Sequence, residues 1–333
     1  MFYENHFSLL EQNFSVKKFS PSFEQRRRRT RRQKKKKHYS WGLHARNTRH
    51  GLPSLTSFKA KHGLSGKGIK ICILDTGIFS GHENVTFIEA KNFTDSPFSF
   101  EDKVGHGTHC AGIATGDNKR GINTGVAHSA DLYVAKILND EGVGKFEWIV
   151  EGIKWAIDKG CDVLSLSLGS ETSIVPLSIQ EAFQEAMDQG AVICVAAGNS
   201  GPRANTIESP GVFTKCITVG AINKYNKLAS FSSRGKEIDI VAPGVDILSC
   251  YKGKKNSYAY LSGTSMATPF VAGLCCLFLE FARSHGKVLD QGIMERLLKT
   301  TAIDLGRKGF DPLYGSGMIH YEKILNEIKK LKE

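Results

Sequence analysis

From Gly68 onward the chain alternates short apolar runs with longer segments of helical period, and this alternation limits the possible folds more than any other feature. It is typical of an α/β domain built on a parallel sheet. The predicted strands are residues 69–74, 131–138, 161–168, 191–196, 216–221 and 238–241. The predicted helices are residues 106–115, 146–159, 179–189, 265–284 and 290–300. Because these strands are continuously hydrophobic, we predict a three-layer, doubly wound, mostly parallel sheet covered by helices on both faces.

Most of the basic charge lies near the amino terminus. The formal net charge is +12, and residues 1–50 contain 14 Lys and Arg against 3 Asp and Glu. The run from Arg26 to Lys37 holds most of this excess. We interpret residues 1–40 as a basic, disordered leader or short propeptide and residues 41–333 as one globular domain.

Cysteine and hydropathy patterns bear on the compartment. Several of the eight cysteines lie in or beside apolar runs, so we expect mostly reduced, buried thiols, which favours an intracellular setting without deciding it. The first 20 residues lack the apolar stretch of a signal peptide. Residues 270–282 are too few to cross a membrane, which takes about 20 residues, and we predict a buried helix there.

Two polar motifs stand at predicted element boundaries. Asp75 follows the first predicted strand, a place where an aspartate is commonly a loop or capping residue. His106 stands between two glycines at the start of a predicted helix, and an imidazole is the natural general base near neutral pH. A metal site through His106 and His109 would lack a third ligand nearby, so we interpret His109 as structural.

Two more motifs complete the set. Ser265 stands where an apolar helix is predicted to begin, either as a helix cap or at a position whose exposed amides favour a developing negative charge. Pro269 is expected in the first turn of that helix, where proline is tolerated. Asn199 lies in a small-residue turn after another predicted strand. Because functional loops gather at the carboxyl ends of parallel strands, we expect these side chains to lie on one side of the sheet with Asp75 and His106.

In order and spacing, four segments resemble the catalytic blocks of the subtilisin family. They are Asp75-Thr76-Gly77, Gly105-His106-Gly107-Thr108-His109, Ala197-Gly198-Asn199 and Gly263-Thr264-Ser265-Met266-Ala267-Thr268-Pro269. The resemblance extends from about Trp41 into the C-terminal region. It implies a serine endopeptidase that acts through an acyl-enzyme, with Asp75, His106 and Ser265 as the triad and Asn199 as an oxyanion-binding side chain.

The resemblance also implies a cleft for an extended peptide. Two segments resemble the strands between which relatives hold a substrate, although turn glycines after strands are an equally good interpretation. The predicted substrate-binding residues are Gly142, Val143, Gly144, Ser167, Leu168, Gly169, Ala197, Gly198 and Glu208. Glu208 falls where relatives form the floor of the pocket for the residue before the scissile bond, and a carboxylate there favours Lys or Arg in the substrate.

The reaction that the resemblance implies needs no metal or cofactor. Residues 117–123 resemble a calcium-binding loop of many relatives, but here they include Lys119 and Arg120, and Asn84 stands where a carboxylate would help. We therefore do not predict calcium at this loop, although the sequence does not exclude it. The run from Arg26 to Lys37 is open to three interpretations: a self-processing site, a nucleic-acid tether or a solvated tail.

Three other functions remain open. An α/β-hydrolase esterase is suggested by the glycine-flanked Ser265 with Asp304 and His320 following in order, but it leaves the other motifs unexplained. An aspartic protease would need a second Asp-Thr-Gly triplet, which the chain lacks. A catalytically silent binding module is disfavoured by the intact triad positions. We expect polypeptide substrates, no membrane span and a monomer.

Overall fold

A computed structural model describes residues 40–44, 53–117, 122 and 124–332. The run from Arg26 to Lys37 and the pair Lys119 and Arg120 lie outside the described residues. Seven parallel strands form one sheet in the order β2-β3-β1-β4-β5-β6-β7. Their bounds are β1 Lys70–Asp75, β2 Glu89–Asn92, β3 Asp131–Lys136, β4 Val163–Leu166, β5 Val192–Ala196, β6 Ile217–Ile222 and β7 Ile240–Pro243. An antiparallel hairpin follows, with β8 Ile247–Cys250 paired to β9 Tyr258–Leu261.

Helices cover both faces of the sheet. They are α1 Trp41–His44, α2 Leu55–His62, α3 His106–Thr115, α4 Phe146–Asp158, α5 Leu177–Asp188, α6 Thr264–Ser284, α7 Gln291–Thr301 and α8 Tyr321–Lys330. Successive side chains of a strand point to opposite faces. In β1, Ile71 and Ile73 accordingly pack in the core that contains α3 and α6, whereas Cys72 and Leu74 pack in the core that contains α4 and α5.

The predicted fold class is confirmed, and the predicted strands and helices differ from the observed ones by no more than two residues at either end. Sequence reasoning missed strand β2, both hairpin strands and helices α1, α2 and α8. Strand β2 is a partly exposed edge strand without an apolar run, and the hairpin strands are short. Helix α8 carried a usable signal, because Tyr321, Ile324, Leu325 and Ile328 repeat at helical spacing and all are buried.

Helix α6 passes through the middle of the larger core. Among the described helices it alone has the length and apolarity of a membrane span, but 94% of that stretch is buried inside the protein, as in a core helix. Pro269 lies inside α6 rather than in its first turn, because the helix begins at Thr264. This position matters for the site described below. All eight cysteines are buried and free.

Residues 40–44 pack against the domain that follows them. The Trp41 indole donates to the carbonyl of Val245 at 2.7 Å, and Leu43 is 1% exposed. The Thr56 hydroxyl donates to the carbonyl of Leu43 at 3.3 Å, which joins this segment to α2. Residues 41–43 are therefore built into the folded core.

Candidate active site

A buried carboxylate and an imidazole meet where β1 ends and α3 begins. Asp75, the last residue of β1, is fully buried, and His106 is the first residue of α3. His106 Nδ1 lies 2.8 Å from Asp75 Oδ1 and 3.0 Å from Oδ2. The backbone N–H of Thr76 also donates to Asp75 Oδ1, at 2.7 Å. Because the carboxylate accepts the proton on Nδ1, the neutral imidazole presents an unprotonated Nε2.

Glycines allow this close approach of helix to strand. A Cβ at position 107 would lie 2.2 Å from the carbonyl oxygen of Gly77, in the turn after β1. Gly105, just before the helix, has φ +97, a conformation that L side chains rarely adopt. The glycines on either side of His106 thus let the imidazole reach the end of the strand.

The Asp75 carboxylate also determines the charge behaviour of His106. Burial disfavours the imidazolium, but the negative charge of Asp75 and its hydrogen bond outweigh burial, and the pKa of His106 lies well above 6.5. His109 behaves in the opposite way. Burial lowers the pKa of His109 to about 3, and its Nε2 lies 3.1 Å from the carbonyls of Ile247 and Ala259. His109 is thus a neutral residue that ties α3 to the hairpin.

Ser265 lies in the first turn of α6, 2% exposed. Its hydroxyl donates to the carbonyl of Ser167, just after β4, at 3.2 Å. Pro269 has no N–H to give to the carbonyl of Ser265, four residues earlier. That carbonyl instead accepts from the Ser167 hydroxyl at 2.9 Å and from the Cys110 thiol at 3.4 Å. The proline thus frees an acceptor through which β4 and α3 hold the start of α6.

Asn199 lies after β5 with its amide in one fixed orientation. Its Oδ1 accepts from the backbone N–H of Thr264 at 3.0 Å and from the Thr264 hydroxyl at 3.1 Å. Since a backbone N–H can only donate, the oxygen must face Thr264 and the Nδ2 group faces away. A Cβ at Gly263 would lie 3.5 Å from Asn199 Nδ2 and 3.6 Å from the backbone nitrogen of Ser265. The two nitrogens therefore lie near the same point beside Gly263.

Comparison with known proteins identifies the family. A sequence profile described as the subtilase family matches residues 66–317. The chain belongs to the subtilase family. It is 38% identical to Subtilisin DY of Bacillus licheniformis over 282 residues, which cover 84% of this chain and 98% of that protein. It is 39% identical to an intracellular serine protease of Paenibacillus polymyxa over 271 residues, 78% of this chain and 81% of that protein. It is also 41% identical to Subtilisin BL of Lederbergia lenta over 261 residues, 78% of this chain and 91% of that protein.

This subtilase is a subtilisin-type serine endopeptidase, and its substrates are polypeptides. Sequence reasoning placed the polar residues of the site on one side of the sheet. In the structure Asp75 ends β1, and Ser167 and Asn199 follow β4 and β5; these three strands adjoin in that order. His106 begins α3 and Ser265 lies in the first turn of α6, the two helices that pack over these strand ends.

The predicted substrate-binding segments flank the end of β1. Residues 142–144 follow β3, on one side of β1, and form a turn closed by the bond from Asn139 N–H to the carbonyl of Val143 at 2.8 Å. Residues 167–169 follow β4, on the other side. Ser170, next along the chain, forms an antiparallel bridge with Ser209. This bridge places Glu208 beside the segment that follows β4.

Glu208 is 7% exposed and packs directly on Gly198, where a Cβ would lie 2.5 Å from the carboxyl carbon of Glu208. Its Oε1 accepts from the backbone N–H of Asn199 at 2.9 Å and from the Ser200 hydroxyl at 2.8 Å. Burial raises the pKa of Glu208, the two hydrogen bonds lower it, and the nearby Glu171 carboxylate raises it, with a net upward shift. The carboxylate is thus joined directly to the turn that carries Asn199.

Two places are candidate metal sites. Among the described residues, Asp75, His106 and Cys110 bring three ligand atoms within 4.8 Å of one another. The Asp75 and His106 atoms already bond each other, and burial raises the pKa of the Cys110 thiol. At the loop that resembles a calcium site, the Asn84 amide nitrogen donates to the carbonyl of Ile122 at 3.1 Å. In this arrangement the Asn84 side chain turns its nitrogen toward the loop, whereas calcium takes oxygen ligands.

Sequence reasoning missed four buried residues around the site, namely Thr76, Asp102, Cys110 and Lys136. Cys110 lies one turn after His106 on α3, with its sulfur 3.9 Å from His106 Nδ1. That spacing was readable, because residues four apart share one face of a helix. The contacts of the other three cross between distant parts of the chain. The hydrolase alternative requires Asp304 and His320. Asp304 accepts a hydrogen bond from the backbone N–H of Gly309, and His320 is the N-cap of α8.

The shift of the His106 pKa predicts the pH dependence of the enzyme. Only a neutral imidazole can take a proton, so kcat/KM should rise with pH through an apparent pKa above 6.5. Asp75→Asn removes the charge that raises this pKa. We expect the rising limb to move to lower pH while the plateau of kcat falls by about 10⁴-fold. The measurement is a pH profile on a chromogenic peptide.

The matched control is Asp188→Asn, an exposed position at the end of α5. This variant should reproduce the native profile. A rising limb at the same pH in Asp75→Asn and in the native enzyme would contradict the assignment of that limb to the Asp75 and His106 pair.

Proposed function

We propose that Ser265, His106 and Asp75 carry the endopeptidase reaction as nucleophile, general base and orienting carboxylate. The bond between His106 Nδ1 and Asp75 is the observation that carries this proposal, because it fixes the tautomer that a general base needs. Ser265 Oγ attacks the scissile carbonyl carbon, and its proton passes to His106 Nε2. Asp75 stabilises the imidazolium that results.

We propose further that the oxyanion is held by the Asn199 side chain and the backbone N–H of Ser265. Both nitrogens lie near the same point beside Gly263. Because Thr264 engages the Asn199 oxygen, the NH₂ group is oriented before the substrate binds, and such preorganised donors stabilise a developing charge strongly. The position of Ser265 in the first turn of α6 adds the favourable field of the helix amino terminus.

The attack of Ser265 forms a tetrahedral intermediate, and two half-reactions follow from it. The C–N bond breaks as His106 gives its proton to the leaving amine, and an ester of Ser265 remains. A water molecule loses a proton to His106 and attacks the carbonyl carbon of this ester. The ester C–O bond then breaks as His106 returns that proton to Ser265 Oγ, which releases the acid and restores the hydroxyl.

Casein hydrolysis by the full chain tests these roles. Ser265→Ala should reduce kcat by about 10⁶-fold, to the residual level left by binding and the oxyanion site. Asn199→Ala should reduce kcat by about 10²-fold to 10³-fold and leave KM nearly unchanged, because its amide acts on the transition state. Ser284→Ala, at the far end of the same helix, is the control and should retain full activity. Undiminished casein hydrolysis by folded Ser265→Ala would refute the proposed nucleophile.

We also propose that Glu208 directs cleavage to peptide bonds that follow Lys or Arg. In the described part of the chain its recorded hydrogen-bond partners are a backbone N–H and a hydroxyl, so its negative charge is not neutralised by a cation. The nearby Glu171 adds negative potential, as its effect on the pKa of Glu208 indicates. A substrate ammonium or guanidinium would neutralise this charge on binding, whereas an apolar side chain would not.

Peptide-library profiling of the native enzyme beside Glu208→Gln and Glu208→Gly tests this preference. The native enzyme should favour Lys and Arg over Leu before the scissile bond by about 10-fold or more in kcat/KM, and both variants should lose most of that ratio. Glu208→Gln keeps the shape of the side chain, so it separates charge from volume. The same preference for apolar residues in all three enzymes would end the proposal and leave the triad untouched.

A further inference from the structure

Behind the Asp75 and His106 pair lies a second buried carboxylate, that of Asp102, which is 2% exposed. Its Oδ1 accepts from the Thr76 hydroxyl at 2.9 Å and from the backbone N–H groups of Val104 at 3.0 Å and Gly105 at 2.7 Å. Its Oδ2 accepts from the backbone N–H of Thr108 at 2.9 Å and from the Thr108 hydroxyl at 2.7 Å. All five partners are donors, which suits an ionised carboxylate at the amino end of α3.

Thr76 connects this carboxylate to both partners of the pair. Its hydroxyl has a single proton, which goes to Asp102, so its lone pair is left to accept the backbone N–H of Gly107 at 2.8 Å. Its own N–H donates to Asp75, and its carbonyl accepts from the buried ammonium of Lys136 at 2.7 Å. One threonine thus contacts Asp75 on one side and the residue after His106 on the other.

We propose that Asp102 and Thr76 are positioning residues for the peptidase reaction. Neither has a recorded bond to Ser265 or to the imidazole of His106 in the described structure. Asp102 fixes the direction of the Thr76 hydroxyl and holds residues 104, 105 and 108, while Thr76 binds the backbone of residue 107. Asp102 and Thr76 together therefore hold Gly105 and Gly107, the two neighbours of His106, at the end of β1, and we call this arrangement the clamp. It keeps His106 Nδ1 within hydrogen-bonding distance of Asp75.

The consequence for catalysis follows from geometry. The Asp75 to His106 bond is 2.8 Å long, and a shift of the α3 start by a fraction of an ångström would lengthen it. Misplacement of a catalytic group by about 1 Å can reduce a rate 10²-fold. A weaker bond would also reduce the stabilisation of the imidazolium. Loss of the clamp should therefore change both the rate and the pH dependence, whereas substrate binding should change little.

The test compares Thr76→Val with Thr76→Ser in the full chain. Valine keeps the shape of threonine but removes the hydroxyl, and serine keeps the hydroxyl. The concentration of active enzyme is measured by active-site titration, so that unfolded protein is not counted when kcat is calculated. We expect Thr76→Val to lower kcat by about 10-fold to 100-fold with KM within about twofold, and to move the rising limb of the pH profile toward lower pH. Thr76→Ser should keep the native kcat within about threefold and the native pH profile.

Asp102→Asn gives a second measurement on the same clamp. The NH₂ group of the new asparagine would face N–H and O–H groups from which the carboxylate now accepts hydrogen bonds. The pH profile of this variant should therefore shift in the same direction as that of Thr76→Val. If this variant does not fold, the comparison of Thr76→Val with Thr76→Ser still tests the positioning role. A titrated Thr76→Val enzyme with native kcat and native pH profile would overturn the inference, even if its melting temperature fell.

The inference rests on the proposed triad, and the two can fail separately. If folded Ser265→Ala were active, the triad itself would be wrong. If Ser265→Ala were inactive while Thr76→Val were fully active, only the positioning role would be lost.

Discussion

The structure of the site depends on one buried interaction, the hydrogen bond between Asp75 and His106 at the junction of β1 and α3. A carboxylate with no exposed surface is costly unless donors satisfy it, and here an imidazole and a backbone N–H do so. The bond fixes the imidazole tautomer and raises its pKa. The strand, the helix and the glycines between them must all lie where this bond requires.

Topology supplies the remaining side chains. Strand β1 lies between β3 and β4, with β5 beyond β4, so the loops that follow these strands open at one edge of the sheet. Helix α6 brings Ser265 to that edge. Because Pro269 cannot bond the carbonyl of Ser265, Ser167 and Cys110 bond it instead and fix the start of the helix against β4 and α3. A residue usually regarded as a helix breaker therefore helps to position the proposed nucleophile.

Shared contacts also hold the proposed oxyanion site. Thr264 binds the oxygen of Asn199, and Glu208 binds its backbone N–H. The side chain proposed to select basic substrates is therefore also joined to the loop that carries the proposed oxyanion donor. Changes at Glu208 act on both features, which is why the isosteric glutamine is the informative substitution there.

Much of this arrangement could be predicted from the sequence, because its signals are local. Apolar runs located the buried strands, and short motifs marked Asp75, His106, Asn199 and Ser265 at strand or helix ends. Strand β2 gave no such signal, since a half-exposed edge strand needs no apolar run.

The contacts between distant residues could not be predicted in this way. Asp102 binds Thr76 across 26 residues, and Lys136 binds it across 60. Buried polar networks of this kind depend on how distant elements pack together, so no fixed spacing along the sequence identifies their residues. The position of Pro269 inside α6 was misjudged for a related reason. The helix begins one residue earlier than its pattern indicated, and tertiary partners replace the bond that proline removes.

The most direct test of the central claim is chemical labelling of the full chain with a serine-directed phosphonate, read by peptide mass spectrometry. A buried carboxylate that orients His106 toward Ser265 predicts one phosphonyl group per chain, located on Ser265, and loss of the label in His106→Ala. A folded native protein that stays unlabelled, or that carries the label on another residue, would contradict it.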